Sequence, residues 1–151
     1  MTVPAFGGWA CRKVLMPNSD EIVCYFFRAD GDYTSLHDIN HNVFRLDKEG
    51  KVIWQVRRDD SNHPLDWWDI LHSQARKQGS DGAREPFMHI DVVTPEGKFA
   101  HIDPTTRMNP DVQTWLPGCS IRLSGSAYQN YILDPDTGIA KNITDWPVRP
   151  W

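Results

Sequence analysis

Apolar and polar residues alternate on both sides of a tight Asp-Lys-Glu-Gly turn in Asn42–Val56, NVFRLDKEGKVIWQV. Phe44 and Leu46 fall on one face of the first run, and Val52, Trp54 and Val56 supply a matching face in the second. The pattern predicts a hairpin with one buried side. Glu21–Arg28, rich in β-branched and aromatic residues, reads as a strand, and a shorter one is expected near Trp9–Leu15. Ala29-Asp30-Gly31-Asp32 supplies a turn after the first of these. A second hairpin is predicted from Phe87–Thr94 and Lys98–Ile102 around Thr94-Pro95-Glu96-Gly97. A third joins Ser120–Ser124 to Tyr128–Asp134 around Gly125, and Pro135-Asp136-Thr137-Gly138 turns the chain into a last strand, Ile139–Ile143.

The period changes to that of a helix only once. Asp66 stands at an N-cap position, Trp67, Leu71 and Ala75 recur at spacings of four with Trp68 and Ile70 beside them, and Gly79 suits the left-handed C′ position. The polar stretch Thr34–His41 and the proline-bearing stretch Asp103–Pro117 read as loops, and the DWPVRPW tail is expected to pack back on the body. Hairpins at short spacing favour antiparallel pairing, since parallel strands need long crossovers. The expected architecture is one mainly β domain with one helix (α+β) over residues 1–151, an antiparallel twisted sheet or half-barrel. A helical insertion of about 59–85 and a long loop of about 103–117 interrupt it.

Composition limits the function classes. The chain has 40% hydrophobic and 24% charged residues, an ordinary globular balance. Its net charge of -4 supplies no electrostatic drive toward nucleic acid or an anionic membrane, so neither is expected as a partner. The N-terminus lacks the basic start and apolar run of a secretory signal, and no apolar run approaches the ~20 residues of a spanning helix. Cys11, Cys24 and Cys119 are odd in number and far apart, which fits reduced thiols in the cytoplasm.

Chemistry-bearing patterns are few. His37 and His41 have the four-residue spacing of zinc-binding helices, but Asp38 replaces the glutamate of the protease motif, and a polar loop is the plainer reading. His89, Asp91, His101 and Asp103 fall on the two arms of the second hairpin. Together they would suit a metal-dependent hydrolase, although a solvated sheet face explains them as well. Neither a nucleophile elbow nor a phosphate-binding glycine loop occurs, so no catalytic residue, metal or cofactor is assigned. What remains is aromatic display. Trp67 and Trp68 are adjacent on a helix and share no face, Trp115 lies in the long loop, and Asp59, Asp60, Asp66 and Asp69 make an acidic rim suited to a basic protein partner.

The segments NVFRLDKEGKVIWQV, PFMHIDVVTPEGKFA and YQNYILDPDTGIAKNI resemble those of small bacterial proteins of unassigned function. These look like isolated propeller-type β modules and are similar to immunity proteins of toxin systems. The resemblance covers residues 42–57, 86–100 and 128–143; residues 59–85 and 103–117 depart from it. Together with the absent catalytic motifs, the acidic balance and the inserted loops, it leads to the expectation of a non-enzymatic protein that binds and neutralises a cognate toxin, with Asp59–Gly82 and Asp103–Pro117 covering the toxin's basic cleft. A β module with an aromatic ligand pocket is the alternative.

Overall fold

The computed structural model describes residues 8–27, 35–100, 111–125 and 129–144. In chain order these form β1 (Gly8–Leu15), β2 (Glu21–Phe27), α1 (Leu36–Asn40), β3 (Val43–Leu46), β4 (Val52–Gln55) and β5 (Arg57–Asp59). They continue with α2 (Trp67–Lys77), β6 (Phe87–Val93), β7 (Val112–Thr114), β8 (Ser120–Gly125), β9 (Asn130–Leu133) and β10 (Ile139–Asn142). Two five-stranded sheets result, in the orders β4-β3-β2-β1-β7 and β5-β10-β9-β8-β6, and neither closes into a barrel. The fold is mainly β with few helices, in the α+β class.

The two sheets bury one shared core. Val14, Ile22 and Val43 of the first meet Ile90, Leu123 and Tyr131 of the second in a single apolar cluster, the driving term for stacking the layers. On the opposite face of the first sheet, Val23, Tyr25, Phe44 and Leu46 form a smaller cluster, with Tyr25 and Phe44 edge to face at 5.6 Å. Strand β2 is therefore buried on both faces, which accounts for its nearly continuous apolar run.

The first hairpin forms as expected, but its faces do not. A register shift between Arg45 and Leu46 sets Trp54 opposite Arg45 and Val52 opposite Leu46. Trp54 and Val56 consequently join the main core, while Val52 packs with Phe44 and Leu46 on the other side. A bulge of this kind re-aims side chains that simple alternation would keep together.

The second hairpin is corrected more deeply. Its turn forms, with Thr94 N–H donating to Lys98 O at 2.7 Å, yet the returning arm makes a single bridge, Val93 to Phe99. The true partner of β6 is β8, and β8 pairs with β9 as the third hairpin predicts. Part of the expected long loop is also strand: β7 pairs with β1 in parallel. A second parallel ladder joins β5 to β10, so the sheets are mixed, although the other six ladders among the described residues are antiparallel. Both parallel pairs join strands far apart in sequence, where the intervening chain serves as the crossover. The expected polar loop at 34–41 contains α1, whose N-cap Ser35 accepts from Asp38 N–H at 3.1 Å. The Ala29–Asp32 turn, residues 101–110, the tip at 126–128 and the Trp-bearing tail lie outside the described residues.

Three side-chain amides join the layers. Asn42, with no exposed surface, accepts from Phe87 N–H at 2.9 Å and donates to Phe87 O and Tyr25 O at 2.8 Å each. Asn40 accepts from Glu85 N–H at 2.6 Å and donates to Ala83 O at 2.9 Å. Gln113 accepts from Val92 N–H and donates to Ile90 O, each at 2.9 Å. Strand β6 is an edge of its sheet; the Asn42 and Gln113 carboxamides supply hydrogen bonds that a neighbouring strand would give, and Asn40 ties down the segment leading into it. A further tie is the ion pair of Arg45 with Asp20, at 2.8 Å between largely buried groups. Arg45 and the Trp54 indole both donate to Pro135 O at 2.8 Å, seating the β9–β10 turn on the first sheet.

Candidate functional site

Alternation continues past the first hairpin. Val56 is buried, Arg57 exposed, and Arg58 turns back inward. Its guanidinium lies 4.0 Å from the Phe87 ring centroid and 5.3 Å from those of Trp68 and Tyr131. It donates through Nε to Asn40 O at 2.8 Å, through Nη1 to the Tyr131 hydroxyl at 3.0 Å, and through Nη2 to Glu85 O. All three acceptors are neutral.

Asp60 sits one hydroxyl away. Tyr131 donates to its Oδ1 at 2.6 Å, Asn142 to the same oxygen at 2.9 Å, and the Trp68 indole to Oδ2 at 2.7 Å. Asn142 also reaches Gln129, whose Oε1 lies 2.8 Å from His63 Nε2. Burial pushes the Tyr131 phenol above its ordinary pKa, and its bond to the Asp60 carboxylate adds to that. The network is thus a connected polar layer between β5, β9, β10 and α2, with its proton fixed on the phenol.

Helix α2 roofs this layer without entering the core. None of its eleven residues is buried, and Trp67, Trp68, Leu71, His72 and Ala75 form a half-buried inner strip. Trp68 is pinned by its bond to Asp60 and stacks on His72 at 5.5 Å; Trp67 meets His63 edge-on at 4.3 Å. The helix ends as its sequence predicts: Gly79, at φ +88°, donates to Arg76 O, and Ser80 N–H to Ala75 O. Asp66 takes the N-cap position without a side-chain capping bond. Outward, Ile70 keeps 48% of its surface exposed and Leu65 is wholly exposed.

Between α1, β5 and α2 lies a cleft of about 340 Å³ lined by Asn40, His41, Arg58, Asp60, Trp68 and His72. His41 Nδ1 lies 2.7 Å from His37 O, so this nitrogen carries a proton and donates; in the neutral ring Nε2 presents a lone pair. Burial lowers the His41 pKa and keeps the ring neutral. His72 has the opposite tautomer when neutral, because its Nδ1 accepts from Ala83 N–H at 3.0 Å and leaves the proton on Nε2.

The residues expected on a partner-binding rim separate into three groups. Asp66 and Asp69 are exposed at the N-cap and in the first turn of α2, and Asp59 is half-buried at the end of β5, its carboxyl held below the usual carboxylate range by bonds from Ser61. Asp60, Trp67 and Trp68 come together, but Asp60 and Trp68 are engaged with each other within the polar layer. Trp115 lies on the β7–β8 connection, packed against the core and donating to Cys119 O at 2.9 Å. His37 on α1 and His41 at its C-cap do stack, at 4.1 Å. Among the described residues no group of three or more His, Cys, Asp or Glu could hold a metal ion. His89 is exposed as expected, whereas Asp91, two residues on in the same unbroken ladder to β8, is buried rather than solvated. His101 and Asp103 lie outside the described residues.

Arg58, Asn40 and His72 were not singled out by the sequence patterns. Extending the Val52–Val56 alternation by two positions would have turned Arg58 inward. No helix among the described residues is long and apolar enough to cross a membrane. The fold and site define a two-sheet β module with an outlying helix over a polar layer; the chain matches no family model, no curated protein and no solved structure.

Proposed function

We propose that the protein is a non-enzymatic cytoplasmic binding module that docks a partner protein through the outer face of α2 and the 59–66 segment before it. The partner expected is a toxin, which the protein neutralises by covering its basic active cleft. The observation that carries this reading is the helix itself: eleven residues long, none buried, with Ile70 and Leu65 outward beside the carboxylates of Asp66 and Asp69. Isolated helices of this length are marginal in water, so α2 depends on its two tryptophans for anchorage and leaves its outer face available. Apolar anchors within an acidic rim suit a basic protein surface and would exclude nucleic acid by like charge.

The test is co-expression with the toxin encoded nearest the gene, followed by titration of the two purified proteins. Wild type is expected to protect cells and bind one to one. Ile70→Asp with Asp69→Lys should abolish both while leaving the melting temperature within about 2 °C, because both positions are exposed. Full protection by that double variant would remove α2 from the interface.

A further inference from the structure

We infer that the cleft between α1, β5 and α2 binds a phosphate group, with Arg58 and His72 as donors and His41 as acceptor. This goes beyond the docking of a partner on the outer face of α2.

A half-buried guanidinium is ordinarily matched by a carboxylate, because desolvating an uncompensated cation is costly. Arg58 forms no ion pair among the described residues; it is held by two carbonyls, a phenol and aromatic faces. Asp60 is the carboxylate that lines the cleft, but its oxygens accept from Tyr131, Asn142 and Trp68, and it reaches Arg58 only through the Tyr131 hydroxyl. A guanidinium has five N–H groups. Three are engaged internally, which leaves one on each terminal nitrogen for a ligand.

The histidines define the rest of the ligand. His72 commits Nδ1 to Ala83 and keeps a donating Nε2–H; His41 commits Nδ1–H to His37 O and keeps an accepting Nε2. Arg58, His72 and His41 therefore present three donors and one acceptor, beside an Asp60 carboxylate that already accepts three hydrogen bonds. A carboxylate satisfies donors only and would leave His41 Nε2 unmatched. Inorganic phosphate keeps at least one hydroxyl at neutral pH, so it accepts with its unprotonated oxygens and donates from that hydroxyl, matching these four groups; a monoester matches them in its singly protonated form, which is populated below a pKa of about 6. Asn40, almost wholly buried, is oriented by donating to Ala83 O and accepting from Glu85 N–H. Trp68 stacks on His72 and lies beside the Arg58 cation, so it forms a wall rather than a platform for a flat ligand. A cleft of about 340 Å³ accommodates a phosphate with a short organic tail, roughly ten non-hydrogen atoms at about 30 Å³ each.

The experiment is a titration of the full chain with inorganic phosphate, and separately with glycerol phosphate and acetate, followed by imidazole NMR signals and calorimetry. The predicted result is saturable one-to-one binding of a phosphate in the millimolar range or tighter, shifts confined to His41 and His72, and weaker binding of acetate. Preference for glycerol phosphate over inorganic phosphate would identify a monoester as the natural source, and the reverse preference the free ion. His72→Asn retains an oxygen for Ala83 N–H while deleting the outward donor, so it should fold normally and lose about tenfold in affinity, the equivalent of one hydrogen bond. Arg58→Lys should lose more. No saturation, acetate binding as tight as phosphate, or unchanged affinity in a folded His72→Asn would each overturn the assignment. None of these outcomes bears on partner docking, which is read separately.

Discussion

Replacing Asn42 with leucine keeps the number and branching of the side-chain heavy atoms and removes the amide that joins the two sheets. Phe87 N–H would lose its acceptor, and the carbonyls of Phe87 and Tyr25 would each lose a donor. These groups surround a side chain with no exposed surface, so water cannot replace the amide without opening the interface. A buried polar group left unsatisfied costs about 1–3 kcal/mol, and an orphaned N–H costs more than a carbonyl that retains a second lone pair. One full donor and two partial acceptors give roughly 3–5 kcal/mol. In a chain of 151 residues each kcal/mol lowers the melting temperature by about 2–4 °C, so a fall of about 6–20 °C is expected. Urea denaturation with an unchanged slope and a reduced midpoint would locate the loss in the folded state. A penalty below about 1 kcal/mol would refute the reasoning and mean that apolar contact alone holds the layers together.

Other expectations follow from single contacts. Gly138→Ala should cost at least ~2 kcal/mol in a thermal melt, because Gly138 has φ +78° and an added Cβ would lie 2.6 Å from the Trp54 ring. Arg45→Met leaves the Asp20 carboxylate buried without its cation and should destabilise by about 3–5 kcal/mol, with Asp20→Asn in the same chain recovering part of the loss in denaturant titrations. His41 is held neutral in the folded state by burial, so as pH falls through about 6.5 the unfolded chain takes up its proton first. Stability should therefore decline between neutral pH and the lower folded-state pKa, and His41→Asn should flatten that part of the denaturation profile.

Local patterns carried most of the strands and the helix. The turn of the first hairpin, the β8–β9 pairing and the Gly79 stop of α2 depend on residues close in sequence, and they form as the patterns predict. What sequence did not convey was long-range register. Bulges at Arg45/Leu46 and Phe87/His89 reverse which side chains are buried, and the parallel edges β1–β7 and β5–β10 join strands with no sequence signal linking them. The amides of Asn40, Asn42 and Gln113 looked like ordinary loop or edge polarity. Their role exists only once β6 is known to present an open edge. The candidate site was legible in part: Asp60, Trp67 and Trp68 do converge, but Arg58 came from an alternation followed too short a distance, and Trp115 belongs to the core.

The most direct test of the proposed docking is amide hydrogen exchange of the protein alone and in the presence of the toxin proposed as its partner. The account predicts slowed exchange across residues 59–77 on binding, with the β2, β6 and β8 amides already protected and unchanged. Protection appearing on the outer strands of either sheet while α2 exchanges as before would contradict it.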